Sequence, residues 1–280
     1  MKTLIISLLL AVALGCGAAK AQEPVRPVLS AYTIEAGSAH VAQTYLSPLR
    51  HSGWDLALSY ERMQAMRFNP DDFVMRLSGR LSGARTTNIP ARNALLWKLN
   101  LALDWSMMWR RSFGAWSIYA GGYTGIDGGA LYLPRNGNNP VAAQASWTVG
   151  IAASAVWRTR FGSVPLYLRY LGQMPLTGMF FSPEYGELYY EIYLGNHHGL
   201  LRGAWPGNFF RLDNLLTADF RFGGTTLRVG YRCRVASTKA SHIVSRDIEH
   251  MAVLGVVSEW ISLSPKKSIE PEARYISAMY

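Results

Sequence analysis

From Trp147 to Trp157 the chain alternates without a break. Trp147, Val149, Ile151, Ala153, Ala155 and Trp157 share one parity, with Thr148, Gly150, Ala152, Ser154 and Arg158 on the other. A β-strand sends these two sets to opposite faces, so one face is continuously apolar. At about 3.3 Å per residue and a tilt near ~40°, the ten residues between the two indoles rise roughly 25 Å, the height of the apolar band on an outer-membrane barrel. Indole rings at both ends of such a row suit the two membrane interfaces. The pattern predicts a membrane-spanning strand. It leaves open what the protein does there.

The same period recurs along the chain. Tyr32 to His40 reads as a weak strand broken by Gly37. In the next strand Trp54, Leu56, Leu58 and Tyr60 oppose Asp55, Ser59 and Glu61, and further on Met75, Leu77, Gly79 and Leu81 oppose Arg76, Ser78, Arg80 and Ser82. Leu95 to Ser106 gives a long alternation containing Trp97 and Trp105, and Trp116 to Thr124 gives another strand. The arm from Trp147 turns at Phe161-Gly162-Ser163 and returns through Val164 to Gln173. Leu216 to Phe222 and Leu227 to Val235 flank Gly223-Gly224, a strong hairpin signal, and Ala252 to Trp260 is the last clear strand. These runs exceed the five or six residues typical of soluble sheets. Length is what separates a barrel from a secreted β-sandwich binding module, the soluble alternative.

Short periplasmic turns and long external loops alternate in such barrels. Long connections are expected after Thr124, Gln173 and Val235. If Leu188–Leu194 and Leu200–Trp205 form two strands, the up-and-down antiparallel transmembrane β-barrel has 12; if that segment is a folded external loop, it has 10. Residues 265–280 read as a periplasmic tail, against the hint of a terminal strand from Tyr280. Trp54, Trp97, Trp105, Trp147, Trp157 and Trp260 are the expected aromatic girdle.

Residues 1–21 have the form of a secretory signal peptide: Lys2, an apolar run from Leu4 to Leu14, and Ala19-Lys20-Ala21 before Gln22. Cys16 offers lipidation as the alternative, although Ala13 and Leu14 reverse the usual lipobox order. Residues 22–280 then form one barrel domain. Cleavage removes Lys2 and Lys20 and no acid, lowering the formal charge from +10 to +8. The basic residues are dispersed, which argues against nucleic acid and fits outer-membrane lipid and lipopolysaccharide as partners. Insertion would need the general barrel-assembly machinery. Only Cys233 remains, on an apolar parity, so no internal disulfide forms.

The segment FFSPEYGELYYEIYLGNHHGLLRGAWPGNFFRLD from Phe180 concentrates polar and aromatic groups. Together with SGWDLALSYERMQAMRFNP, GGYTGIDGG, RNGNNP and STKASHIVSR, it resembles an uncharacterised family of outer-membrane proteins of Bacteroidota. The resemblance implies a barrel of unknown function, and it carries no site residues with it. Glu184, Tyr185, Glu187, Tyr189, Trp205 and Asp213 are the candidates for external glycan binding, since rings stack on pyranose faces while acids accept from hydroxyls. The competing reading gives the rings to a girdle or loop core and pairs the acids with Arg202 and Arg211. His197 and His198 lack a third ligand, so no metal site is expected, and no cofactor. Asp127 among glycines reads as a turn-former.

Two further chemistries follow from the strands. Ser38 and His40 share a face, as a lipid acyl hydrolase working at the barrel wall requires, and Ser182 with His197 is a looser pair. The inner face is expected to carry Arg76, Arg80, Lys98, Asp104, Arg169, Gln173, Glu191, Asp219, Arg221, Arg228, Arg232 and Arg234. Such long side chains either plug the narrow lumen as ion pairs or line a small-solute pore whose excess of arginine favours anions. The reading that joins these is a non-enzymatic barrel, structural or a narrow pore.

Overall fold

The computed structural model describes residues 24–261 and 274–279; residues 1–21, expected as a signal peptide, with Cys16 among them, and most of the expected tail lie outside the described residues. Eleven strands form, β1 (Val28–Gln43), β2 (Ser47–Ala65), β3 (Phe73–Asn88), β4 (Leu95–Phe113), β5 (Trp116–Tyr132), β6 (Val141–Phe161), β7 (Val164–Phe181), β8 (Leu201–Ala204), β9 (Phe209–Phe222), β10 (Thr225–Ala240) and β11 (Ile243–Trp260), with one short helix, α1 (Tyr189–Tyr193). Neighbours pair antiparallel around the ring, β7 pairs β9, and β11 pairs β1 to close it. The barrel therefore has 10 strands among the described residues. β8 stands outside the ring, paired with Gly178–Phe181 of β7. A single closed ring also replaces the two-sheet sandwich alternative.

The expected count of 12 fails in the segment it depended on. Leu188–Leu194 is mostly helix α1, and Leu200–Trp205 supplies only four strand residues. The β7–β9 pairing ends at Gln173 opposite Asp213, while β6 stays paired to β7 through Phe180, with an irregularity near Pro175. There β6 passes from Val149 opposite Thr177 to Gly150 opposite Pro175, leaving Leu176 as a bulge. Proline removes a ladder donor, which suits this place. Beyond the bulge the parity flips, so Phe180 turns inward and Met179 outward.

Two expected long loops are also strand. β5 continues past Thr124 to Tyr132, so Asp127 is no turn residue. β10 and β11 continue past Val235 to a two-residue hairpin at Ser241 and His242, both with positive φ, 47° and 65°. That conformation is usually left to Asn-Gly, so the sequence carried no turn signal there. At the other end Gly223 does hold the expected positive φ, 57°.

The ring has a turn end and a loop end. Connections at the turn end are 66–72, 114–115, 162–163 and 223–224. At the loop end they are 44–46, 89–94, 133–140, 182–208 and 241–242. Outward parities carry leucines and isoleucines in an exposed belt, including Ile34, Leu58, Leu81, Leu99, Leu101, Leu103, Ile126, Ile151 and Leu254. All six girdle tryptophans face outward and are exposed. Trp54, Trp97 and Trp147 lie toward the loop end, Trp157 and Trp260 toward the turn end, and Trp105 deeper along β4. Trp157 stacks on Trp116 with centroids 5.8 Å apart.

Candidate functional site

Inside the ring, side chains stack in three layers. At the turn end Leu29, Met63, Val74, Met108, Tyr119 and Val156 form an apolar cluster with Ala278 and Met279 of the C-terminal segment. That segment is held by backbone: Val25 bridges Tyr275, Arg110 Nη1 donates to the Ser277 carbonyl at 2.5 Å, and the Tyr119 hydroxyl donates to the Ala278 carbonyl at 3.0 Å. At the loop end Val41, Leu46, Leu96, Leu131, Leu133 and Ala142 form a second apolar cluster with Tyr45 against it.

Charge fills the middle. Glu61 accepts from Arg76 Nε at 2.5 Å, Arg169 Nη1 at 2.5 Å and Arg228 Nη1 at 3.1 Å, and Arg228 also holds Asp219 at 2.8 Å. Glu35 takes Arg80 Nε at 2.9 Å and Arg232 Nε at 3.2 Å, and Arg232 reaches Asp213 at 2.8 Å. Lys98 Nζ meets Asp247 at 2.7 Å, Asp55 at 3.5 Å, and Glu249. Asp127 joins Arg211 to Arg234. The void left among these groups is about 30 Å³, space for a water or two.

Expected lumen residues Arg76, Arg80, Lys98, Asp104, Arg169, Gln173, Asp219, Arg228, Arg232 and Arg234 do point inward. Arg221 keeps the inward parity but lies exposed at the turn-end rim. Glu191 is not in the lumen: it sits in α1, where its carboxylate accepts from the Leu188 N–H at 2.9 Å. The expected excess of arginine is also corrected. Glu35, Asp55, Glu61, Asp127, Asp213, Asp247 and Glu249 share the interior, so the bases are matched by acids. Asp55 and Glu61 were legible as the polar parity of β2, and Glu35 lay within the weak first strand; the others sat on strands whose extent the pattern understated.

The external candidates separate. Asp213 belongs to the lumen. Glu187 is buried and ties the loop to itself, accepting from the Glu184 N–H and from Asn196 Nδ2, both at 2.9 Å. Glu184 makes an exposed pair with Arg202 at 3.3 Å. Tyr185 and Trp205 are 67% and 61% exposed, and neither lines the recess at the loop end. Tyr189 alone lines it. The Tyr189 hydroxyl accepts from the Ala143 N–H at 2.6 Å, and its ring meets Tyr45 edge-on at 5.8 Å. The Tyr45 hydroxyl donates to the Glu187 carbonyl at 2.6 Å. Burial first, then Tyr189 and the nearby Glu187 and Glu191, push that hydroxyl up to about 12, so it remains a donor at any physiological pH.

This recess at the loop end has a volume of about 110 Å³. Tyr45, Phe180, Phe181, Tyr189 and Phe209 wall it, and Gln43, Asn100, Gln144, Ser245 and Asp247 offer hydrogen bonds above the Asp127, Arg211 and Arg234 floor. One carboxylate oxygen of Asp247 is buried and has no hydrogen-bond partner among the described residues. Asp127, Gln144, Ser245 and Asp247 lie beyond the ends that the sequence pattern gave β5, β6 and β11, and Phe209 and Arg211 beyond that of β9, which hid the recess from the sequence.

Ser38 and His40 both face outward on β1. Ser38 stands opposite His250 of β11 and His40 opposite Ile248. The His250 Nδ1 shares a hydrogen bond of 2.6 Å with the Tyr231 hydroxyl. Among the described residues no hydrogen bond joins Ser38 to either histidine. Ser182 is buried at the recess, and its hydroxyl donates to the Pro183 carbonyl at 3.3 Å, while His197 and His198 are exposed on the loop. No group of three or more His, Cys, Asp or Glu side chains among the described residues is disposed to hold a metal.

No curated protein matches the sequence. Among solved structures, the outer membrane protease OmpT from Escherichia coli is similar at 5% identity and TM-score 0.47, covering 84% of this chain and 97% of its own. Neisserial surface protein A is similar at 11% identity and TM-score 0.32 over 82% and 96%. The translocator domain of the autotransporter NalP from Neisseria meningitidis is similar at 9% identity and TM-score 0.34 over 92% and 95%. The barrel itself rests on the strand pairing above. Residues 2–267 match the family described as "Protein of unknown function (DUF3316)", and the chain belongs to that family.

Proposed function

We infer that this is a sealed, non-enzymatic outer-membrane barrel that binds a small hydroxyl-rich ligand, of the sugar class, at its outward mouth. The exposed belt of leucine and isoleucine supports the membrane setting, since water tolerates no apolar patch of that extent. Longer connections at one end support that end as external. The observation that carries the reading is the filled lumen: apolar clusters at both ends enclose matched ion pairs with about 30 Å³ of void. Above it the recess offers flat rings beside donors and acceptors, and its charged lining balances, Asp127 and Asp247 against Arg211 and Arg234, which suits a neutral polyol more than an ion.

Refolded protein, shown to be folded by heat-modifiable gel migration, is expected to give no steady openings in planar bilayers. Sustained conductance with ion selectivity would replace the sealed barrel with a pore. For the ligand, binding on an array of glycans is expected to weaken roughly tenfold in Phe181→Ala, which removes one stacking face and leaves the ion pairs intact. An unchanged array profile would move the site away from the recess.

A further inference from the structure

The outer wall near the loop end differs between its two sides. From β2 to β5 one register row runs Trp54, Arg85, Trp97, Tyr132, each opposite the next across the strand pairs. All four side chains are exposed, and the Arg85 guanidinium lies 5.8 Å over the Trp97 ring. One row closer to the turn end run Leu56, Gly83, Leu99 and Ala130. The small residues Gly83 and Ala130 sink the surface between larger neighbours, leaving a groove of about 370 Å³ walled by Trp54, Trp97, Leu99 and Tyr132. Its lining is almost wholly apolar, and Arg85 stands beside it on the loop-end side, in the row between Trp54 and Trp97.

Charge on this side is one-signed. The connections 44–46, 89–94 and 133–140 contain no Asp or Glu, yet they bring Arg92 and Arg135, which join exposed Arg50 and Arg85 on the adjoining strand ends. The acids of the loop-end connections, Glu184, Glu187 and Glu191, all belong to the connection 182–208, which leaves the ring between β7 and β9 and meets connection 44–46 at Tyr45 over the mouth, inside the outer wall. Four cations at the interface of an apolar wall make an anion site whose strength rises as the medium becomes less polar. Guanidinium groups match phosphate oxygens through paired donors, and stacking on Trp97 holds Arg85 ready.

We propose that this face binds a phosphate-bearing acyl lipid of the outer leaflet, with one acyl chain in the Gly83 groove and the phosphate on Arg85 and its neighbouring arginines. The proposal rests on the reading of the loop end as external. It does not depend on the recess. An anionic headgroup supplies the charge complement, and a flexible chain fills a groove that a smooth belt would not have.

The test uses the full-length folded barrel in a neutral detergent, incubated separately with lipid A, phosphatidylglycerol, phosphatidylcholine and inorganic phosphate, and read by native mass spectrometry as molecules retained. Lipid A is expected to be retained at least tenfold above phosphatidylcholine, with phosphatidylglycerol between them and inorganic phosphate not retained. The R85Q/R92Q/R135Q variant is expected to lose that preference. Gly83→Ile is expected to lower lipid A retention several-fold without loss of fold, because a Cβ at Gly83 meets its nearest neighbour, the Lys98 carbonyl, at an ordinary 3.7 Å. Equal retention of lipid A and phosphatidylcholine, an unaffected triple variant, or retention of inorganic phosphate alone would each overturn the proposal. Protease shaving of intact cells separates this from the underlying reading: cleavage within 133–140 or 182–208 with no lipid preference overturns the lipid site alone, whereas loops shielded in intact cells overturn both.

Discussion

Glu61→Ala is expected to destabilise the barrel by about 3–5 kcal/mol, the cost of removing one partner from a buried ion pair. Three arginines converge on this carboxylate, and they do not suffer equally. Arg228 keeps Asp219 at 2.8 Å, and Arg76 keeps a contact of 3.4 Å to Gln173. Arg169 bonds both oxygens of Glu61, at 2.5 and 3.0 Å, and is buried with those as its described partners. The stranded charge is therefore on β7, 108 residues away in sequence. A second change, Arg169→Met, should recover part of the loss in the double variant, because the remaining groups are again closer to balance. Urea unfolding in lipid vesicles, followed by the heat-modifiable band, measures both. A loss under about 1 kcal/mol for Glu61→Ala would mean that water reaches this layer and screens it.

The matched interior explains which parts of the molecule were legible in the sequence. Outward rows such as Leu95 to Trp105 are read by lipid, a uniform environment, so their alternation survives along most of each strand. The inward rows answer to one another across the ring. Glu35 on β1 meets Arg80 on β3 and Arg232 on β10, contacts of no fixed sequence spacing. Period-two reading gives the face of each residue and is silent about its partner. The balance of acids and bases was therefore hidden until the strands were closed into a ring.

Strand ends were lost for a different reason. Above the apolar belt the strands continue beyond the membrane band, where outward residues such as Arg246 and Lys239 no longer need to be apolar. Asp247 and Glu249 thus lay in what looked like a polar loop, and Asp127 among glycines looked like a turn. The recess is built from those extensions and from α1, a five-residue helix with no hydrophobic stripe to announce it. Bulge and turn chemistry compounded the loss: the bulge at Leu176 inverts parity, and Ser241 and His242 adopt positive φ without the residues that usually signal it.

Lys98→Met is the converse of the Glu61 change and separates charge imbalance from lost packing. Methionine keeps much of the stem while removing the ammonium that lies between Asp55, Asp247 and Glu249. Arg80 still reaches Glu249 at 2.9 Å, so two carboxylates lose their main cation and face each other. At neutral pH the loss is expected to match the ~3–5 kcal/mol of the Glu61 variant. The two then diverge on acidification. A carboxylate without its cation can take up a proton and become a donor to its neighbour, whereas a guanidinium without its anion cannot shed its proton at any pH the barrel meets. The folded Lys98→Met variant therefore binds protons at higher pH than the wild type does, and its stability relative to the wild type rises as pH falls from 8 toward 5. The Glu61→Ala deficit, with arginines stranded, stays level or widens over the same range. Unfolding midpoints for the two variants against the wild type at several pH values give the comparison directly. Parallel pH curves for both would show that side-chain packing, and not uncompensated charge, accounts for the losses.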